Sequence, residues 1–297
     1  MIQAKNRRDF IKLSSLALAG ALTPKTWHLL NTPALPQHIA VQLWSVREAM
    51  AQNPGETLRK IAEMGYKEIE PFGFDAGRLF GLSIPEFAKT IEGLGMSMPS
   101  AHGKIKPTDY DAKTKSINDA AKQIIDNAAQ VGLKYLIVPY LDDQERKDIP
   151  LLVNMLQSAG AYANKAGVKL AYHNHDFEFT TKGPDGRKLI EWILQEVPGE
   201  LLSMQMDIYW VEYAKEDPCK YFSKYPGRWK LCHVKDMADT PERQSIEVGQ
   251  GTLDFNKIFK KRKKAGLEHF VVELEHYKTT PLEGIDQARK GLLKLWE

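Results

Sequence analysis

Short apolar runs alternate along this chain with longer stretches in which apolar residues recur every three or four positions. The short runs read as buried strands, and the longer stretches as helices that lay one face on a core. The first run spans 39–44 (IAVQLW). The helix behind it starts from Asn53 or Thr57 as cap and places Leu58, Ile61 and Ala62 on one side before Gly65. Further strands are predicted over 65–70, 96–102, 134–139, 168–173, 202–207, 230–235 and 269–274. Helices are predicted over 85–95, 111–131, 149–166, 187–196, 217–225, 255–265 and 281–295. Three helices hand over to their strand through the same punctuation, EMGYKEIE, QVGLKYLIV and KAGVKLAY. The glycine in each sits just past the helix, where a left-handed backbone ends it.

Strand–helix units in unbroken succession predict an α/β fold, a (β/α)8 TIM barrel that occupies 39–297 as one domain. Such barrels typically run to ~250 residues. The competing fold, an open doubly wound sheet, usually carries a glycine-rich phosphate turn after its first strand, and VQLWSVRE has none.

The 297 residues are 43% hydrophobic, enough to build a full core. Lys plus Arg number 41 against 38 for Asp plus Glu, and the surplus of +3 lies in the first 21 residues. The remainder is neutral, which gives no electrostatic reason to expect a nucleic-acid partner. Residues 1–21 read as an export signal. Asn6-Arg7-Arg8-Asp9-Phe10-Ile11-Lys12 is similar to a twin-arginine motif, an apolar run follows over 13–22, and Ala19-Gly20-Ala21 offers a cleavage site. That run is shorter than the roughly 20 apolar residues of a membrane span, and no other run approaches that length. Residues 22–38, with Pro33 and Pro36, read as an extended linker, and the expected location is periplasmic. Cys219 and Cys232 have no metal-site spacing and read as apolar fillers. The basic run from Lys260 to Lys264 reads as a solvated helix face.

Chemistry concentrates at strand ends. The strand over 168–173 finishes in His173, Asn174, His175, Asp176 and Glu178. LSMQMDIYW delivers Asp207, WKLCHVKD delivers His233, Lys235 and Asp236, and HFVVELEH delivers Glu273 and Glu275. In a barrel of this kind the carboxyl ends of the strands form the active-site mouth. Asp207, His233 and Glu273 therefore converge from three consecutive strands, and two carboxylates with an imidazole suit one divalent ion such as Mn²⁺, Co²⁺, Zn²⁺ or Fe²⁺. A fourth ligand is expected from the strand before them.

These motifs resemble the xylose isomerase-like TIM barrels, also called AP endonuclease family 2, and within them the sugar phosphate isomerase/epimerase group. MDIYW with Asp207, HVKD over 233–236, VGQGTLDF over 248–255 and VVELE with Glu273 carry the resemblance. It implies that Asp207, His233 and Glu273 bind the metal and that Glu273 also serves as a base. Many sugar epimerases of this group end the fifth strand in a metal-binding Glu, whereas KLAYHNH has His173 there. Either His173 takes that ligand place, or Glu178 reaches back from the loop. His173 and His175 join Glu273 as candidates for proton transfer, and Asn174 and His175 for substrate contact. Where epimerases often place a substrate-binding His after the Asp, this chain has Tyr209 and Trp210, and Trp210 is a candidate carbohydrate platform. His102, Lys235 and Glu70 complete the expected substrate contacts.

The resemblance implies proton abstraction next to a carbonyl of a carbohydrate. Sugar phosphates are scarce outside the cytoplasm, so the expected substrate carries no phosphate. An isomerase or epimerase is the first expectation. A lyase or dehydratase acting on a 3-keto-glycoside or an inosose is the second, and an exported sugar-binding barrel without turnover is the non-enzymatic alternative. A nuclease of this superfamily would need more His ligands for its zinc cluster. Assembly into a homo-oligomer is compatible with all of these.

Overall fold

The computed structural model describes residues 39–296 apart from Ala76. The expected signal and linker, 1–38, lie outside the described residues. Eight parallel strands form the central sheet: β1 (Ile39–Gln42), β2 (Glu68–Glu70), β3 (Ser100–His102), β4 (Tyr135–Val138), β5 (Lys169–His173), β6 (Ser203–Asp207), β7 (Trp229–Val234) and β8 (His269–Val272). Their hydrogen-bonded order is β2-β1-β8-β7-β6-β5-β4-β3. Between β2 and β3 regular pairing gives way to two isolated parallel bridges, Glu68–Ser97 and Phe74–Gly103. Backbone bonds across that seam, including His102 N to Pro71 O at 2.9 Å and Ile69 N to Ser97 O at 3.0 Å, bring the ends together as a nearly closed barrel.

The main outer helices are α1 (Pro54–Glu63), α2 (Ile84–Gly93), α3 (Asp119–Gln130), α4 (Ile149–Ala166), α5 (Leu189–Glu196), α6 (Pro218–Lys224), α7 (Phe255–Phe259) and α8 (Pro281–Lys294). Asn53, and not Thr57, caps α1, its side chain accepting from Glu56 N at 3.1 Å. The three handover glycines, Gly65, Gly132 and Gly167, have φ of 90°, 71° and 86°. That is the left-handed conformation their place after a helix requires. Among the described residues no helix is long and apolar enough to cross a membrane.

Two expected helices are shorter than their apolar pattern suggests. The stretch 111–131 is helical only from Asp119. Before it, Tyr110–Asp111 pairs with Ser116–Ile117 in a small hairpin whose turn places Lys115 at φ 53°. Asn118 then caps α3 by accepting from Ala121 N at 2.9 Å. The stretch 255–265 divides into α7 and a second short helix, Arg262–Ala265. The basic residues from Lys260 lie on or beside that break, mostly exposed.

Inside the barrel, Tyr135, Ile137, Ala171 and Leu231 form a buried apolar cluster. Side chains alternate between the two faces of a strand, so residues two positions later face inward as well. On β5 and β7, Ala171 and Leu231 are thus followed by His173 and His233 nearer the carboxyl ends. The apolar filling gives way there to polar groups.

Candidate metal centre

Four consecutive strands, β5 to β8, deliver His173, Asp207, His233 and Glu273, the last just past the end of β8. One ligand atom from each lies within 4.8 Å of the others, and all four residues are buried. Parallel register explains part of this convergence, since Asp207 pairs with His233 across β6 and β7. His233 Nδ1 is 2.8 Å from Glu273 Oε2, and His173 Nε2 is 3.8 Å from Asp207 Oδ2. Asp207 Oδ1 accepts from Trp210 N at 3.1 Å, while Oδ2 is buried with no hydrogen-bond partner. Two carboxylates and two imidazoles, one from each of four adjacent strands, make a donor set that fits a divalent cation of the Mn²⁺ to Zn²⁺ series.

One protein cation already serves this cluster. Lys235, completely buried, sets its Nζ 2.9 Å from Asp207 Oδ2, 2.8 Å from Glu273 Oε2 and 2.8 Å from Glu275 Oε1. The ammonium is thus the close polar neighbour of Asp207 Oδ2. Burial alone would lower the lysine pKa, but the three carboxylates raise it well above its usual value. Burial raises Asp207 to about 6, against the opposing pull of Lys235 and His233. For Glu273 burial acts upward too, but Lys235 and His233 outweigh it and hold the carboxyl well below its usual range.

The two buried imidazoles differ. Burial, then the proximity of His233 and His175, pushes His173 well below the ordinary histidine range. His233 would also fall on burial, but Glu273 and Glu70 bring it up to about 10. It lies between them, with Nε2 2.6 Å from Glu70 Oε1 and Nδ1 on Glu273. Glu70 itself is fully buried. Burial would raise it, yet His102 and His233 hold it well below the carboxylate range. It accepts from Gln42 Nε2 at 2.9 Å, Gln205 Nε2 at 2.8 Å and the Ser100 hydroxyl.

Above the cluster lies a cleft of about 440 Å³, lined by Trp44, Phe72, Gly73, His102, Pro139, Tyr140, His173, His175, Glu273 and Glu275. That volume is within the roughly 300–1,000 Å³ of small-molecule sites. A larger groove of about 710 Å³ involves residues 96–99 and 132–134, ahead of β3 and β4, and so belongs to the opposite end of the barrel.

The expected site residues divide accordingly. His102 and His175 line the cleft. His175 Nδ1 is buried without a partner, and burial, followed by the charge of Lys235, pushes the ring down to about 3. Of the two alternatives at the end of β5, His173 is in the cluster and Glu178 is not. Glu178 Oε1 accepts from Tyr172 OH at 2.7 Å and Oε2 from His175 N at 2.8 Å, so it shapes the loop. Burial lifts its pKa to about 8. Four expected substrate contacts, Asn174, Glu70, Trp210 and Lys235, are not among the cleft-lining residues. Asn174 uses its amide to hold Asp207 N at 3.2 Å and Asp207 O at 3.3 Å. Glu70 lies beneath the imidazoles. Trp210 sits behind the wall, its ring 5.7 Å from His175 and 5.6 Å from Lys235 Nζ. Lys235 is likewise committed to carboxylates and not to the cleft. Trp44, Phe72 and Tyr140 line the cleft without having been expected there. So does Glu275, two residues past Glu273 and beyond the end of the same strand. Gln205 was missed although it lies two residues before Asp207 and hence on the same inward face.

The HVKD and VGQGTLDF motifs meet through Asp236. Its carboxylate accepts from Met237 N at 2.8 Å, Gly249 N at 2.9 Å, Gly251 N at 3.0 Å and Leu253 N at 3.0 Å. A Cβ on Gly251 would fall 2.3 Å from Met237 O and 2.4 Å from Asp236 Oδ1, so only glycine lets this loop close onto the carboxylate.

Comparisons with known proteins agree with this architecture. Residues 58–295 match the family model described as xylose isomerase-like TIM barrel. A crystal structure of a sugar phosphate isomerase/epimerase from Parabacteroides distasonis superposes with a TM-score of 0.75 at 25% identity, covering 86% of this chain and 97% of that one. A xylose isomerase-like TIM barrel protein from Mycobacterium smegmatis, in complex with magnesium, gives a TM-score of 0.64 at 16% identity over 87% of this chain and 96% of that one. In sequence, the chain is 26% identical over 170 residues to an inosose dehydratase from Clostridium beijerinckii, 51% of this chain and 55% of the relative. The chain thus spans about half the length of the curated relatives it matches. On the family match and the barrel together, this chain belongs to the xylose isomerase-like TIM barrel family.

Proposed function

We propose that the protein is a divalent-metal-dependent enzyme that moves a proton next to a carbonyl of an unphosphorylated carbohydrate, in the manner of an isomerase/epimerase. The observation that carries this reading is the ligand cluster itself, four donors from four adjacent strands at the floor of a cleft. His173, Asp207, His233 and Glu273 would hold the ion, which supplies a Lewis acid for the carbonyl oxygen. Glu273, held ionised by Lys235 and His233, reaches the cleft and takes the proton from carbon. His175, neutral and with Nδ1 unpartnered, lines the same cleft as a substrate contact; a ring pushed down to about 3 is too weak a base to take the proton itself. His173 is not a base here, because Nδ1 is engaged with Gln205 and Nε2 faces Asp207. The cleft lining contains two glutamates and no lysine or arginine, and Lys235 beneath is neutralised by three carboxylates. Among the described cleft-lining residues a phosphate would find no free cation, which favours a neutral sugar.

A second reading is elimination, from a 3-keto-glycoside or by dehydration of an inosose. It is favoured by the turning away of Glu178, which leaves no second carboxylate on the β5 side for a two-sided exchange. The inosose dehydratase relatives point the same way. In that reaction the C–H proton goes to the base, the carbon–oxygen bond at the β position breaks, and the oxygen leaves as water or an alcohol with a proton. Location outside the cytoplasm remains part of this proposal and rests on the leader motif.

The test is NMR in D2O with the metal-loaded protein and a panel of aldoses, ketoses, 3-keto-glycosides and inososes. Deuterium entering next to the carbonyl with the skeleton intact supports isomerase or epimerase chemistry. A new enone with release of an alcohol or water supports elimination. No exchange in any substrate would leave only a sugar-binding barrel.

A further inference from the structure

Strand ends supply the ligands, but something must aim the two imidazoles. We propose that the buried pair Gln205–Glu70 is a positioning device that selects the metal-facing nitrogen of each: Nε2 of His173 and Nδ1 of His233. The inference rests on the metal-enzyme reading above.

The hydrogen-bond chemistry allows one assignment. Gln205 Nε2 lies 2.8 Å from Glu70 Oε2. An ionised carboxylate only accepts, so the amide N–H₂ must face Glu70 and the amide oxygen must face the imidazoles. Gln205 Oε1 is 2.9 Å from His173 Nδ1 and 2.9 Å from His102 Nε2. Both nitrogens therefore donate to it. With its proton on Nδ1, His173 keeps the Nε2 lone pair for the side where Asp207 Oδ2 lies, 3.8 Å away. The other half of the pair acts on His233. Glu70 Oε1 takes the Nε2 hydrogen at 2.6 Å, so Nδ1, 2.8 Å from Glu273 Oε2, is the nitrogen that would give up its proton to face the ion.

Glu70 is itself fixed by Gln42 and Ser100, from β1 and β3, so the device is anchored on strands outside the ligand set. A glutamate at the end of β5 would need no such partner, because either oxygen can bind. A histidine offers only one free nitrogen, and the partner of the other decides which. Gln205 is thus the companion of having His173 in that place.

The full chain loaded with Zn²⁺ and labelled with ¹⁵N-histidine tests this by long-range ¹H–¹⁵N correlation, alongside zinc affinity from chelator competition. The expected spectrum shows His173 bound through Nε2 with a proton on Nδ1, and His233 bound through Nδ1 with a proton on Nε2. Gln205→Met, similar in volume but without the amide, should weaken zinc binding by about 10–100-fold. It should also mix the two His173 tautomers while leaving the His233 signature in place. His173 bound through Nδ1 in the parent would overturn the inference, as would unchanged zinc affinity and tautomer in Gln205→Met. If that variant fails to fold, the parent spectrum decides alone. A parent that binds no zinc, nor Mn²⁺ or Co²⁺, would remove the metal-enzyme reading and this inference with it.

Discussion

Lys235 Nζ and Glu273 Oε2 are 2.8 Å apart at the centre of the ligand cluster, so an ammonium group shares the carboxylates that would bind the ion. Without Lys235, Asp207, Glu273 and Glu275 would face one another with less compensation. Breaking a buried ion pair from one side typically costs about 3–5 kcal/mol. Lys235→Met should therefore lower the melting temperature of the metal-free protein strongly. Added Mn²⁺ or Zn²⁺ should raise it by more than in the parent, because the ion restores positive charge where the lysine is missing. Paired thermal melts with and without metal measure this. Equal metal-induced shifts in the two proteins would contradict it.

Glu178 gives a pH-dependent stability with a definite sign. Its pKa is about 8 in the fold against an ordinary 4.5. Between those values the folded state holds a proton that the unfolded chain has released, so this group's contribution falls as the pH rises through the window. The full slope for one proton is roughly 1.4 kcal/mol per pH unit. Glu178→Gln removes it. Urea denaturation at pH 5 and pH 8 should show the variant gaining on the parent at the higher pH. A constant difference between the two proteins would show that Glu178 is ionised in the fold.

Trp44 and Tyr140 are 42% and 53% exposed, the two exposed large hydrophobic residues among those described, and both line the cleft. Each is braced. Trp44 meets Phe72 edge-on at 5.0 Å, and Tyr140 meets His175 edge-on at 5.3 Å while its hydroxyl accepts from Arg146 at 2.9 Å. Rigid apolar faces at the mouth suit a second ring attached to the reacting sugar. An aromatic contact of this kind is worth about 0.5–1.5 kcal/mol. Trp44→Ala and Tyr140→Ala should each raise KM for glycosides with a cyclic aglycone by roughly 2–10-fold, with kcat nearly unchanged, since such contacts bind ground and transition state alike. Steady-state kinetics on a glycoside and on the free sugar separate the cases. An equal rise for both substrates would remove the second-ring subsite.

Much of this was legible in the residues. Strand–helix alternation and the glycines at 65, 132 and 167 predicted the barrel, because a left-handed cap followed by an apolar run has few other uses. The convergence of Asp207, His233 and Glu273 was legible because barrel strands open their carboxyl ends toward one mouth. Depth was not legible. Glu70 and Gln205 face inward like the ligands, yet neither lines the cleft, because side chains from the other strands cover them, and no single strand encodes that cover. Asn174 and Glu178 looked like site residues because they follow His173, yet the turn carries Asn174 to the Asp207 backbone and Glu178 to Tyr172 OH and His175 N. Trp44 and Tyr140 went unnoticed since an aromatic residue ending an apolar run reads as core. The hairpin before α3 was hidden by apolar residues at helical spacing.

Metal titration of three proteins addresses the site most directly. Parent, Asp207→Asn and Glu178→Gln would each be stripped with chelator and titrated with Zn²⁺ by calorimetry, with bound metal counted by elemental analysis. One ion per chain is expected in the parent and in Glu178→Gln with similar affinity. Asp207→Asn should lose more than the ~10–100-fold that removal of an outer hydrogen-bond partner costs. Full binding in Asp207→Asn together with loss in Glu178→Gln would contradict the assignment, placing the ion at the β5 loop and not among His173, Asp207, His233 and Glu273.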